Sequence, residues 1–177
     1  KAITIDPADG LAFYGRGLVH FESKNYSKAI ADLTEALRIF PADILLGSKA
    51  HGHIYRLRGY AFLQQGDAES AVNDFTQALR RSGSNSEDYF NRAIAHTQMG
   101  NFEEAIEDYS HAIQMDETDA IAFHERANVL AHLSRTEEAI RDYNRAIKLR
   151  PMEDTFHVNR GMCFMREGDS KKAMRDF

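Results

Sequence analysis

A lone cysteine, Cys163, excludes an internal disulfide framework and suits a reducing compartment. Apolar runs are short: stretches such as "DILLG" fall far below the roughly eighteen residues that a membrane span needs. Basic excess is missing as well. Lys and Arg number 22 against 27 Asp and Glu, giving a net charge of −5. A nucleic-acid footprint needs a basic patch or stripe, so no nucleic-acid partner and no membrane partner are expected. Glycine-rich phosphate loops, nucleophile elbows and cysteine–histidine motifs are absent, so no catalytic residue and no cofactor are assigned. The N-terminus carries nothing like a secretory signal, and a cytoplasmic location is expected. Prolines are few, at three in 177 residues, and strand-like alternation is hard to find.

Helical spacing, by contrast, is everywhere. In "NFEEAIEDYSHAI" the residues Phe102, Ala105, Ile106, Tyr109, Ala112 and Ile113 fall on one helix face. Glu103, Glu104, Glu107 and Asp108 occupy the other side. That helix recurs. "YSKAIADLTEALRIFP", "AESAVNDFTQALRRSG", "FEEAIEDYSHAIQMDE" and "TEEAIRDYNRAIKLRP" superpose without gaps. Their anchor alanines are Ala29, Ala71, Ala105 and Ala139, with a fifth at Ala173, at intervals of 42, 34, 34 and 34.

A period of about 34 residues built from helix pairs is the mark of one repeat class. Over essentially its whole length the chain resembles the tetratricopeptide repeat (TPR) superfamily. The motif's large fourth residue is Phe13, Tyr55, Tyr89 and Phe123, with His157 departing from it. Its small eighth residue is Gly17, Gly59, Ala93, Ala127 and Gly161. Its bulky twenty-fourth is Leu33, Phe75, Tyr109, Tyr143 and Phe177, and its small twenty-seventh is Ala36, Ala78, Ala112 and Ala146. The closing proline is Pro41 and Pro151, replaced by Gly83 and Glu117 in the middle repeats. The resemblance implies an all-α, right-handed superhelical solenoid of antiparallel helix pairs. The expected division is 1–9 as the end of a preceding repeat, 10–43 as repeat 1, and 44–85 as repeat 2 with an eight-residue insertion. Then come 86–119 as repeat 3, 120–153 as repeat 4 and 154–177 as a truncated repeat 5. In that register "KAITIDP" is the last turn of a second helix, and Phe177 stops mid-helix. The chain is therefore expected to be a fragment whose open ends expose apolar faces.

Small residues let paired helices approach, so Gly59 is expected against Ala71 and Ala93 against Ala105. Two residue types recur beyond the general motif. Position seven is arginine in every repeat (Arg16, Arg58, Arg92, Arg126, Arg160), and position twenty-three is aspartate (Asp32, Asp74, Asp108, Asp142, Asp176). Antiparallel geometry places these two positions opposite one another, which predicts a charge-assisted pair in each repeat. The alternative is recent duplication with both residues solvated. Even as pairs they are architecture, since a partly exposed ion pair stabilises little.

Eight extra residues between Pro41 and the second repeat amount to about two helical turns. The cheapest accommodation, and the expected one, extends the first helix of that repeat back to about Ile44, and the alternative is a folded loop. Gly47 and Gly52 count against the helix. In "RRSGSNSEDY" a loop is expected, with Ser86 or Asn85 capping the next helix. The sequon Asn25-Tyr26-Ser27 carries little weight with this cysteine usage. His51 and His53 lack further ligands at useful spacing, so no metal is assigned. His20 and His96 fit core-edge packing, and Cys163 fits a small buried apolar position.

By the resemblance, positions two, five, nine and twelve of each repeat face a concave groove, one stripe per first helix. The candidate binding residues are Tyr14, Leu18 and Phe21 in repeat 1, and His53, Arg56, Tyr60 and Leu63 in repeat 2. Repeat 3 adds Phe90, Asn91 and Ile94, and repeat 4 adds His124 and Asn128. An apolar, aromatic surface of this kind marks an interaction site unless neighbouring repeats bury it. The lysine–asparagine–arginine clamp of chaperone-binding members is incomplete, because Tyr60, Ile121 and Glu125 stand where clamp groups are wanted. The sixth-position asparagine ladder of the O-linked N-acetylglucosamine transferase is broken by Gly15, Leu57 and Glu125. The expected function is a non-catalytic protein-interaction scaffold whose groove takes a peptide or helical segment. Two alternatives stand beside it. One is a regulatory or substrate-docking segment of a larger enzyme or assembly. The other is self-association through uncapped ends.

Overall fold

The computed structural model describes residues 9–40 and 47–177. The "KAITIDP" segment lies outside them. The described residues form ten helices: α1 (Gly10–Glu22), α2 (Tyr26–Ile39), α3 (Gly47–Gln65), α4 (Ala68–Ser82) and α5 (Ser86–Met99), then α6 (Phe102–Met115), α7 (Ala120–His132), α8 (Thr136–Leu149), α9 (Asp154–Arg166) and α10 (Ser170–Asp176). They divide into two compact units, residues 1–99 and 100–177. In the first unit each helix packs on the next, and α3 also touches α1 and α5. In the second unit α6 to α10 do the same, with α7 also against α9. First helices of successive repeats thus lie side by side within a unit.

The periodic alanines explain the close packing. Ala29, Ala71, Ala105, Ala139 and Ala173 are all fully buried. Glycine at position eight meets the second helix further along than expected. A Cβ on Gly59 would lie 3.1 Å from Cβ of Asp74 and 3.4 Å from the Phe75 ring, and these, not Ala71, are its nearest neighbours. Turns inside the pairs share one conformation. Lys24, Gly66, Gly100, Ser134 and Gly168 all have positive φ, and all stand at position fifteen. Glycine adopts this conformation at little cost, whereas Lys24 and Ser134 carry strain. Side-chain caps from Asp9, Asp67, Asp119 and Asp169 start α1, α4, α7 and α10. Asn85 caps α5, accepting from the backbone of Glu87 at 2.7 Å.

Within each unit the arginine–aspartate pairs form as forks. Nε and Nη2 of Arg58 donate to both carboxylate oxygens of Asp74 at 2.7 and 2.8 Å. Arg16–Asp32, Arg126–Asp142 and Arg160–Asp176 repeat this fork. The aspartates are more buried than a surface pair implies: the Asp74 side chain is 2% exposed. Burial raises the Asp74 carboxyl above its ordinary value, and the Arg58 hydrogen bonds oppose that rise. The third nitrogen adds a contact that the repeat comparison missed. Nη1 of Arg58 donates to Thr34, of Arg92 to Thr76, of Arg126 to Ser110 and of Arg160 to Asn144. Each acceptor sits at position twenty-five of the preceding repeat. One guanidinium therefore ties its own second helix to the previous one.

The insertion is helical from Gly47, which makes α3 the longest element at 19 residues. The stretch from Ile44 to Leu46 lies outside the described residues. His51 is buried and its Nε2 lies 3.0 Å from the Phe40 carbonyl, which anchors the extension to the end of α2. Gly52 has a reason to be glycine, because a Cβ there would fall 2.6 Å from Oγ of Ser82. Among the described residues no helix is long and apolar enough to cross a membrane.

Candidate functional site

In the first unit, α1, α3 and α5 enclose a cavity of about 530 Å³. Phe21, Glu22 and Lys24 line it from α1 and its turn, with Tyr26 from the start of α2. His53, Arg56, Leu57 and Tyr60 come from α3, and Glu87 and Asn91 from α5. Three rings form an edge-to-face cluster: Phe21–Tyr60 at 5.5 Å, Phe21–Tyr26 at 6.0 Å and Tyr26–Tyr60 at 6.5 Å between centroids. Arg56 holds one side in place. Its Nε and Nη2 fork onto Asp88 at 2.5 and 2.7 Å, and the Asp88 side chain is fully buried. The candidate clamp arginine is therefore committed to α5, with only Nη1 left over. Burial, then the nearby Arg56 charge, holds the His53 imidazole below its ordinary value, so it is neutral at pH 7.

Asn91 is 7% exposed, and no hydrogen-bond partner reaches its amide among the described residues. The hydroxyls of Tyr26 and Tyr60 are likewise without partners among the described residues. Such groups in an open cavity are available to a ligand.

The second unit answers the same motif positions differently. Nδ2 of Asn159 donates to Nε2 of His124 at 3.0 Å and to Oδ1 of Asn128 at 3.0 Å. Tyr143 donates to that same Asn128 oxygen at 2.7 Å, and Asn128 donates to Glu125 at 3.2 Å. Nε2 of His124 is an acceptor in this network, which assigns the ring proton to Nδ1, 3.3 Å from Glu125. His124 also stacks on buried Phe156 at 4.6 Å. The hydrogen bond with His124 holds the Glu125 carboxyl below its ordinary value; burial opposes this, and Asn128 assists. Cys163 lies under the network, fully buried, and burial raises its thiol.

Of the residues picked from the sequence, Phe21, His53, Arg56, Tyr60 and Asn91 come together in the first cavity. Tyr14 stands beside it, edge-on to His53 at 6.3 Å, and Leu18 and Phe90 are half-buried. Ile94 packs on the core, and Leu63 belongs to it, 5% exposed among Ala68, Ala71, Phe75 and Ala95. Leu63 is thereby removed from the binding stripe. His124 and Asn128 are joined to each other's neighbours in the second unit. Tyr26 escaped the sequence reading because it starts a second helix, off the inner stripe. Asp88 escaped because the Arg56–Asp88 pair occurs once and leaves no trace in the repeat. Among the described residues no group of three His, Cys, Asp or Glu could hold a metal.

Four family models, each described as the tetratricopeptide repeat, match residues 10–43, 52–85, 86–119 and 124–177. The chain belongs to the tetratricopeptide-repeat family. No curated protein matches it in sequence. Solved structures of MamA are similar in fold. One has a TM-score of 0.85 at 16% identity, over 95% of this chain and 87% of that one. Another scores 0.83 at 16% identity over 99% and 92%. YrrB, described as a TPR protein with an unusual peptide-binding site, scores 0.80 at 16% identity over 96% and 83%. These likenesses establish an all-α array of TPR helix pairs.

Proposed function

We propose that this chain is a non-catalytic protein-interaction scaffold that binds an extended peptide segment in the cavity of its first unit. The tetratricopeptide fold is consistent with a protein-interaction scaffold, and the similar YrrB is a TPR protein with a peptide-binding site. The observation that carries the reading is Asn91. Its amide lines the cavity without a partner among the described residues, and a ligand that supplies both a donor and an acceptor would satisfy it. An extended backbone offers both. The interior of a helical ligand does not, because its N–H and C=O groups are already paired within the helix. The ring cluster beside Asn91 supplies the apolar contact that anchors a side chain.

The test is peptide display selected on the whole chain, followed by affinity measurements on Asn91→Ala and Tyr60→Glu. Both variants should lose the selected peptides, whereas Asn159→Ala should keep them. Peptides held equally by wild type, Asn91→Ala and Tyr60→Glu would place binding elsewhere and sink the proposal.

A further inference from the structure

A smaller cavity, of about 220 Å³, opens inside the second unit, where Ala131 and His132 of α7, Tyr143 of α8, and Asn159, Met162 and Arg166 of α9 line it. Nη1 of Arg166 donates to the Ala131 carbonyl at 2.8 Å, which holds the guanidinium against α7. Its Nε–Nη2 edge has no partner among the described residues. The chain itself shows what such an edge takes. Arg16, Arg56, Arg58, Arg126 and Arg160 each fork Nε and Nη2 onto an aspartate, and Arg135 forks them onto Glu138. Arg166 presents the same edge to solvent. Position thirteen is exposed in all five repeats, so that exposure belongs to the register.

The surrounding charges favour an anion. No carboxylate lines this cavity. Glu125 is held by His124 and Asn128, and Glu167 lines a different cavity, with Arg135 and Glu138. Burial raises the Cys163 thiol at the cavity wall, which keeps it neutral at pH 7, and His132 can add only positive charge. Asn159 spends both Nδ2 hydrogens, on His124 and Asn128, and has only its acceptor, Oδ1, to offer. The cavity therefore calls for an anion at Arg166 and an N–H at Asn159. An acidic residue within a peptide carries both, a side-chain carboxylate and a backbone N–H. Met162, 48% exposed, supplies apolar surface for its methylene groups.

We infer that the second unit carries a binding site of its own for an acidic peptide segment. The Nε–Nη2 edge of Arg166 takes an aspartate or glutamate carboxylate, and Oδ1 of Asn159 accepts from the backbone of the same segment. The site shares no residue with the cavity of the first unit, so neither reading depends on the other.

The whole chain, isotope-labelled, is titrated with an alanine–glycine pentapeptide that is blocked at both ends and carries one glutamate, with its glutamine twin, and with inorganic phosphate. The glutamate peptide should shift the Arg166 Nε–H and Asn159 side-chain resonances to saturation. The glutamine twin should bind roughly three- to tenfold more weakly, the worth of one charge-assisted hydrogen bond in an open site. This comparison needs no variant. Arg166→Gln should bring the glutamate peptide down to the level of its twin, and Arg166→Lys, which keeps the charge and loses the fork, should fall between them. Arg175→Gln, an exposed arginine of α10 outside the cavity, should change nothing. Equal binding of the two peptides, glutamate binding that survives Arg166→Gln, or no saturation at Arg166 overturns the inference. Phosphate that saturates Arg166 more tightly than the glutamate peptide overturns the assignment to a carboxylate.

Discussion

Asn91 and Asn159 occupy the same sixth position of two repeats and end in opposite states. Asn159 spends both amide hydrogens, on His124 and Asn128, and Tyr143 completes the ring of contacts. Asn91 is the more buried of the two, 7% exposed, and has no hydrogen-bond partner among the described residues. The difference lies in the neighbouring first helix. In the second unit α7 offers His124 and Asn128. In the first unit α3 offers Arg56, which is already forked onto Asp88, and Tyr60, which faces rings. The same residue in the same register is bonded architecture in one unit and an unpartnered cavity-lining amide in the other. Position in a repeat says which way a side chain points; the side chain across from it decides whether it is free.

The largest expected effect breaks the first unit. Arg56→Ala leaves the fully buried Asp88 carboxylate without its partner, and urea unfolding should show a loss of about 3–5 kcal/mol. Stability close to wild type would mean that Asp88 is reached by water. The next pair tests the asparagines directly. Asn159→Ala strips a donor from His124 and from Asn128 and should cost about 1–3 kcal/mol. Asn91→Ala removes no internal bond and should stay within about 0.5 kcal/mol of wild type. Equal costs at both sites would erase the contrast.

Acid should separate the units next. The Glu125 carboxyl sits below its ordinary value of 4.5, chiefly through its hydrogen bond with His124. A depressed folded value means that the ionised form is favoured by folding. That stabilisation is complete above the unfolded value and is lost as pH falls through the folded one. Unfolding of the second unit, followed at its own backbone amides, should therefore weaken below about pH 4.5. Glu125→Gln should flatten that dependence, and an unchanged profile would remove Glu125 from the account. The smallest effect concerns the two turns without glycine, one in each unit. Lys24→Gly and Ser134→Gly relieve a left-handed residue, offset by greater freedom in the unfolded chain. Each should gain about 0.5 kcal/mol or less.

What the sequence disclosed follows from the same contrast. Anything that recurs was legible: the buried alanines, the small residue at position eight, and the arginine–aspartate fork, each present several times in one chain. What recurs only as a type was half legible. Thr34, Thr76, Ser110 and Asn144 share hydrogen-bonding capacity and not identity, so the third arm of the arginine clamp did not stand out. Single events were not legible. Arg56–Asp88, His51 on the Phe40 carbonyl and the Ser82 contact that requires Gly52 each occur once, at the irregular second repeat. The site suffered most from this. A stripe drawn from register alone included Leu63, which the core takes, and left out Tyr26, which closes the ring cluster.

The most direct measurement follows side-chain amide resonances of Asn91, Asn128 and Asn159 in the whole labelled chain during titration with a bound extended peptide. The account predicts that the Asn91 signal shifts progressively to saturation while those of Asn128 and Asn159 stay in place. An unmoved Asn91 signal with shifts at Asn159 and Asn128 would contradict it, because the vacant group would then be idle and the closed network would be the site.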